Sequence, residues 1–132
     1  MFDHGDTETQ RLNQITEKVI GGAIAVHRVL GPGLLESAYE ECLCYELSQC
    51  GLSFQRQVPL PVIYKDVKLD CGYRMDIVVE NLVVIEMKAV TKMIPVHEAQ
   101  LLSYLKLADL PLGLLLNFHE ALLKNGIKRI RN

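Results

Sequence analysis

The sequence lacks several features that mark specialised classes of protein. It has no apolar run long enough to cross a bilayer, which argues against a membrane protein. Its first ten residues, MFDHGDTETQ, are polar and acidic, so no secretory signal is recognisable there. Internal repeats, low-complexity segments and linkers are also missing. We therefore expect a cytoplasmic protein with a single domain over residues 1–132, a length that suits one hydrophobic core.

The cysteines lack the spacing of the common cysteine-based sites. There are four: Cys42, Cys44, Cys50 and Cys71. Without a secretory signal, disulfides are not expected. No pair has the CxxC spacing, and Cys42 and Cys44 would point away from each other on a helix, so a zinc site is not expected either. We interpret the four residues as free structural thiols.

A surplus of positive charge is missing too. Proteins that bind nucleic acid usually carry one, whereas the formal net charge here is −2. The exception is the tail, which has Lys124, Lys128, Arg129 and Arg131 and no acid. These residues are either solvated flanks of a last strand or an edge that contacts phosphate. Charge alone favours the first interpretation.

Two helices are predicted at the start of the chain. Apolar residues at helical spacing follow Thr7, which forms a capping-box pattern with Gln10. The sequence GPG at 31–33 ends this first helix. A second helix is predicted over about 35–50, and Gly51 ends it.

Segments typical of β-strands follow. LSFQRQVPLPVIY, 52–64, contains two prolines, which indicate an edge strand or a bent one. VKLDCGYRMDIVVE, 67–80, follows a predicted turn at Lys65–Asp66. LVVIEMKAV, 82–90, is joined to it by a tight turn around Glu80–Asn81.

A third helix and one or two strands complete the pattern. Pro95 suits the first turn of the helix PVHEAQLLSYLKLAD. The continuous apolar run LGLLLNF, 112–118, predicts a central strand, and a last strand is predicted over about 122–130. The order ααβββαβ(β) predicts an α/β fold in which helices cover a mixed sheet.

Charged residues inside an apolar strand suggest a functional site. Glu86 and Lys88 are two residues apart, so they point to the same face, with Cβ atoms roughly 7 Å apart. Burying such a pair is costly. A hairpin would bring Asp76 beside them. Two carboxylates and a lysine suit a Mg²⁺ site, where the cation polarises a phosphodiester and the lysine orients water or stabilises developing charge.

Three other residues extend this constellation. A D…ExK match alone is common by chance, and by itself it favours a structural role. Glu36 lies at the edge of the apolar face of the second helix, where its carboxylate can reach the polar end of the sheet. Gln100 and Tyr104 share a helical face. Gln100 could hold a water or a carboxylate, and Tyr104 could contact phosphate or brace the site.

Taken together, these motifs resemble a known family. GLLESAY, Gly33 to Tyr39, is similar to the GxxExxY signature of the small proteins named after it, which belong to the PD-(D/E)xK nuclease superfamily. The resemblance covers roughly residues 12–130, and it includes YRMDIVVE, VVIEMKAV, HEAQLLSYLK and LGLLLNF. QLLSY also resembles the QxxxY motif of RecB-like nucleases.

The resemblance implies a restriction-endonuclease-like core and a role for each motif residue. It implies metal ligands at Asp76 and Glu86, a helical acid at Glu36 that also approaches the metal, and a catalytic lysine at Lys88. Gln100 and Tyr104 match the last motif. It further implies that Gly33 permits the turn before the second helix and that Tyr39 packs beneath that turn.

Two functional hypotheses follow. The first is a nuclease that depends on Mg²⁺ or Mn²⁺ and acts on DNA or RNA. The alternative is a non-catalytic module that retains the fold and binds nucleic acid or a partner protein, which the small size and acidic charge favour. The apolar fraction of 49% also suggests an interface, for example in a homodimer.

Overall fold

The computed structural model describes the backbone of residues 4–132 and the side chains from Thr7 onward. The helices are α1 (His4–Leu30), α2 (Glu36–Gln49) and α3 (Pro95–Ala108). The strands are β1 (Phe54–Pro59), β2 (Val62–Tyr64), β3 (Val67–Leu69), β4 (Arg74–Val79), β5 (Val83–Lys88), β6 (Leu112–Asn117) and β7 (Ile127–Arg131). A 3-10 turn, Leu123–Gly126, precedes β7.

The two N-terminal helices form where the apolar spacing predicts them. The buried residues of α1 are those at helical intervals: Leu12, Ile15, Val19, Ala23 and Val26. The predicted start of α1 is wrong, because the helix begins at His4 and Thr7 lies within it. α2 ends at Gln49, and Gly51 follows with a φ of +76°, a conformation that glycine adopts without strain.

Five strands form a mixed sheet in the order β1-β4-β5-β6-β7. β5 and β6 are parallel, and the other neighbours are antiparallel. β1 lies at the edge, as its proline content predicts, and β6 lies in the interior of the sheet.

The predicted strand over 52–64 is in fact two strands. β1 ends at Pro59, and β2 pairs with β3 in a separate two-stranded ribbon. Proline cannot donate a hydrogen bond to a strand ladder, which explains the break. Lys65 and Asp66 form the ribbon's turn with φ of +48° and +67°, a pair of values typical of tight hairpins.

The predicted strand over 67–80 is also interrupted. β3 ends at Leu69 and β4 begins at Arg74, and Gly72 lies between them with a φ of +78°. In the tail, the 3-10 turn occupies the first part of the predicted strand over 122–130, so β7 is shorter than predicted. The local sequence favours a strand in both segments. Neither segment has a partner strand along its whole length, so only part of each forms a strand.

Helices cover both faces of the five-stranded sheet. In β5, Val83, Ile85 and Met87 belong to the core formed with α1 and α2. The alternate residue Val84 belongs to a second core formed with α3. This architecture is the predicted α/β fold, a mixed sheet flanked by helices, and it is consistent with a restriction-endonuclease-like core.

The basic tail contacts the protein's own surface. Lys128 forms an ion pair with Glu98 at 3.9 Å, and Arg131 forms one with Glu8 at 3.8 Å. The side chain of Arg129 donates to α1. These contacts favour the interpretation of the tail as a last strand with basic flanks. In the part of the chain that the structure describes, no helix has both the length and the apolar character that crossing a bilayer requires.

Candidate active site

The β4–β5 hairpin sets the geometry of the candidate site. Its turn is at Glu80–Asn81, as predicted, and both residues have a φ of +54°. Val78 pairs with Val84 and Ile77 with Ile85. The same register, continued by one residue, places Asp76 opposite Glu86.

At this position the two carboxylates replace the backbone ladder. Glu86 Oε1 accepts a hydrogen bond from the Asp76 backbone N–H at 3.2 Å. Asp76 Oδ2 accepts one from the Met87 backbone N–H at 2.8 Å. Each carboxylate is therefore held by the backbone of the opposite strand.

The carboxylate pair is electrostatically unfavourable by itself. Glu86 is 6% exposed. Burial, and then the charge of Asp76, raise the pKa of Glu86 to about 9, although the Asp76 backbone N–H and the charge of Lys88 act in the opposite direction. Without a cation, the pair therefore retains a proton at neutral pH.

Two carboxylates that repel each other fit a hard divalent cation, which prefers oxygen ligands. The described residues contain no group of three or more His, Cys, Asp or Glu side chains that could together hold a metal ion. Asp76 and Glu86 therefore lie together, and Glu36 does not join them in such a group among the described residues.

Lys88 is connected to α3 through Gln100. Lys88 Nζ donates to Gln100 Oε1 at 3.4 Å, and Gln100 Nε2 donates to the Tyr104 hydroxyl at 3.1 Å. Burial raises the pKa of Tyr104, and the charge of Glu86 contributes to the same effect. Lys88 on β5 and Gln100 and Tyr104 on α3 therefore form one chain of hydrogen bonds next to Glu86.

Gly33 and Tyr39 of the GLLESAY segment have structural roles. Gly33 has a φ of +106°, which favours glycine. The Tyr39 hydroxyl donates to the Gly31 carbonyl at 2.6 Å and accepts from the Leu34 N–H at 3.1 Å. Its buried ring stacks on Phe118 with a centroid distance of 4.4 Å. Tyr39 therefore packs beneath the turn and ties it together, as expected.

Glu36, the acid of the same segment, differs from its neighbours. It is exposed at the first turn of α2. It lines a surface groove with Leu34, Leu35, Ser37 and Ala89, and Ala89 directly follows Lys88 at the end of β5. Within the described residues, Glu36 makes no side-chain hydrogen bond or ion pair, and its charge interacts only with the N-terminal end of the α2 dipole.

Sequence reasoning missed the residues that support Asp76. Glu40 is buried, and its Oε2 accepts from Arg56 Nη2 at 2.9 Å. Gln57 Nε2 donates to Glu40 Oε1 at 2.8 Å and approaches Asp76 Oδ1 at 3.5 Å. The only sequence signal for Glu40 is its position four residues after Glu36, on the same helical face. Gln57 has no such signal.

Asn117 was also missed. It is fully buried at the end of β6. Its Oδ1 accepts from the Val90 N–H at 3.1 Å, and its Nδ2 donates to the Val90 carbonyl at 2.9 Å. Asn117 therefore holds the chain just after Lys88, at the end of the strand that carries the site.

Comparison with protein families identifies the superfamily of the chain. Residues 13–130, most of the chain, match the model of a family described as the PD-(D/E)XK nuclease superfamily. No curated protein matches the chain significantly, and no solved structure does.

Proposed function

Because the chain belongs to the PD-(D/E)XK nuclease superfamily, we propose that it is a metal-dependent nuclease that hydrolyses phosphodiester bonds of DNA or RNA. The observation that carries this proposal is the Asp76–Glu86 pair, whose carboxylates are fixed side by side next to Lys88. Superfamily membership implies a nucleic acid substrate and suggests nuclease activity. The type of nucleic acid and the mode of cleavage are to be determined by the cleavage assay.

We propose that Asp76 and Glu86 hold Mg²⁺ or Mn²⁺. Their hard oxygen atoms suit these ions, and Mg²⁺ is often bound through one or two carboxylates together with water and substrate phosphate. When bound, such a cation polarises the phosphodiester and lowers the pKa of water. Glu36 is proposed as the additional acid, because its exposed carboxylate beside Ala89 has no protein partner among the described residues.

Lys88 is proposed as the catalytic lysine. Its ammonium group supplies fixed positive charge next to the carboxylate pair, where a phosphodiester gains negative charge during hydrolysis. Gln100 accepts a hydrogen bond from Lys88 and so orients it, while Tyr104 braces Gln100. Charge that is already oriented needs little reorganisation when the substrate reacts.

Within the superfamily, we propose that the chain is a GxxExxY protein and that its last motif is of the RecB-like QxxxY type. The roles of Gly33 and Tyr39 in the turn, and the contact between Gln100 and Tyr104, support this assignment. A single domain over residues 1–132 and a cytoplasmic location stay predictions.

A cleavage assay tests the proposed function. Labelled single- and double-stranded DNA and RNA are incubated with the protein and Mg²⁺, Mn²⁺ or EDTA. Lys88→Ala and Asp76→Ala proteins run in parallel. We expect cleavage that requires the cation and that both substitutions abolish. Cleavage that survives both substitutions would come from a contaminant, and absence of cleavage from every substrate would contradict the proposal.

One observation favours the alternative, a non-catalytic module that binds nucleic acid or protein. The β2–β3 ribbon is isolated from the main sheet, and its apolar residues Ile63, Tyr64 and Val67 are more than half exposed. Exposed apolar patches often mark interaction surfaces. Binding of nucleic acid without cleavage, weakened by Tyr64→Ser, would support this alternative. The homodimer stays a prediction, which light scattering tests directly.

A further inference from the structure

Gln57 has an unusual backbone conformation for its position. It lies inside β1, yet its φ is +50°. For a residue other than glycine, this left-handed conformation is strained. Arg56 pairs with Ile77 of β4 and Val58 pairs with Met75, whereas Gln57 and Asp76, which would face each other, are not paired. The irregularity in β1 therefore lies directly opposite Asp76.

The same position of β4 is also irregular on its other side. There the ladder between β4 and β5 extends only to the pair Ile77–Ile85, and the Asp76 N–H donates to Glu86 instead. Asp76 is thus released from regular pairing on both sides. Strained residues that persist in a fold tend to lie at functional sites.

The Gln57 side chain lies between two carboxylates. Its Nε2 donates to Glu40 Oε1 at 2.8 Å and is 3.5 Å from Asp76 Oδ1. Glu40 is buried, and both Nε and Nη2 of Arg56 donate to its other oxygen, Oε2, at 3.1 and 2.9 Å. Glu40 is therefore a rigid anchor for the Gln57 amide. The amide thus lies between the carboxylates of Glu40 and Asp76, whose like charges repel.

We propose that Gln57 is a positioning residue, which holds Asp76 in the orientation that binds the catalytic cation, with Glu40 and Arg56 holding Gln57 in turn. This inference rests on the proposed function. Partners that orient metal ligands typically change metal affinity by about 10- to 100-fold when they are removed. The strained backbone of Gln57 would then serve to bring its amide to Asp76.

The test is Mn²⁺ binding by calorimetry, which is independent of catalysis. Gln57→Met keeps the length of the side chain and the backbone strain but removes the amide. Gln55→Met is the matched control, because Gln55 is exposed on the same strand, two residues away. We expect Gln57→Met to weaken Mn²⁺ binding by about tenfold or more, and Gln55→Met to leave it unchanged. Equal affinity in the two variants would overturn the proposal.

Gln57→Gly distinguishes the effect of the side chain on Mn²⁺ affinity from the effect of the strained backbone. Glycine adopts the φ of +50° without strain, so the urea midpoint should be unchanged or higher. A positioning role predicts that Mn²⁺ affinity still falls, as in Gln57→Met. A purely structural role predicts that affinity follows stability. Gln57→Asn, which keeps an amide and tolerates this conformation, should recover part of the affinity.

A measurement without metal distinguishes this inference from the proposed function. In the metal-free protein, Gln57→Met, Asp76→Asn and the double variant are unfolded with urea. If Gln57 holds Asp76, the change in stability of the double variant should differ from the sum of the two single changes. Non-additive changes, together with no Mn²⁺ binding by the unmodified protein, would contradict the nuclease but support the contact between the two residues. Additive changes would overturn the positioning role whether or not the protein cleaves nucleic acid.

Discussion

Asp76 and Glu86 face each other across a hairpin, and each carboxylate accepts a hydrogen bond from the backbone of the other residue's strand. The pair is therefore in place before any cation arrives. Its like charges and its burial raise the pKa of Glu86 to about 9. A carboxylate pair of this kind lowers the stability of the metal-free protein at high pH, and the same charges favour the binding of a cation.

The first prediction concerns stability and pH. The pKa of Glu86 is about 9 in the folded state, against an ordinary value of 4.5. Between these two pH values, the folded protein therefore keeps a proton on Glu86 that the unfolded protein has lost. Stability of the metal-free protein should therefore fall as pH rises through this window, by up to ~1.4 kcal/mol per pH unit. Glu86→Gln should remove this slope in urea unfolding between pH 5 and 9. Glu17→Gln, an exposed control on α1, should keep it.

Cation binding should release the proton that Glu86 holds in the metal-free protein. Because metal ligands must be deprotonated, Mn²⁺ should displace the proton from the Asp76–Glu86 pair. The apparent affinity should rise between pH 6 and 8, by up to about tenfold per pH unit for one proton. Calorimetry in buffers with different ionisation enthalpies measures the release. An affinity that is independent of pH, with no proton released, would argue against Glu86 as a ligand.

Lys88 should be required for cleavage and not for folding. Lys88→Ala removes the positive charge beside the carboxylates, and cleavage should fall by about 100-fold or more. Lys92→Ala, an exposed lysine four residues later, is the control and should cleave normally. Both variants should show the circular dichroism spectrum of the unmodified protein. Equal activity of the two variants would exclude Lys88 from catalysis.

Tyr39 should matter for stability. Tyr39→Phe keeps the ring that stacks on Phe118 but removes the hydroxyl that bonds the Gly31 carbonyl and the Leu34 N–H. Losing these two partly buried hydrogen bonds should lower the free energy of unfolding by ~1–3 kcal/mol. Urea unfolding measures the loss. A variant as stable as the unmodified protein would show that the hydroxyl does not tie the turn.

Glu36, in contrast to Tyr39, should matter for cleavage and not for stability. It is exposed, and its carboxylate has no partner among the described residues, so Glu36→Gln should leave the urea midpoint unchanged. If it is the helical acid of the site, cleavage should fall. Glu17→Gln provides the control for removing an exposed helical carboxylate. Full cleavage by Glu36→Gln would remove Glu36 from the site.

Features that depend on local patterns could be predicted from the sequence. The helical spacing of Leu12, Ile15 and Val19 predicts α1, and turns are predicted at Lys65–Asp66 and Glu80–Asn81, where the structure has them. The two-residue period of a strand is enough to place Glu86 and Lys88 on one face. These features need no knowledge of distant residues.

Which of those residues come into contact depends on the packing of strands and helices. The register of β4 against β5 places Asp76 opposite Glu86, and the packing of α3 brings Gln100 to Lys88. The position of the Gln57 amide between two carboxylates depends on partners in α2 and β4, which lie far away in the chain. Local sequence cannot specify such contacts, because strand pairing and burial involve the whole sheet.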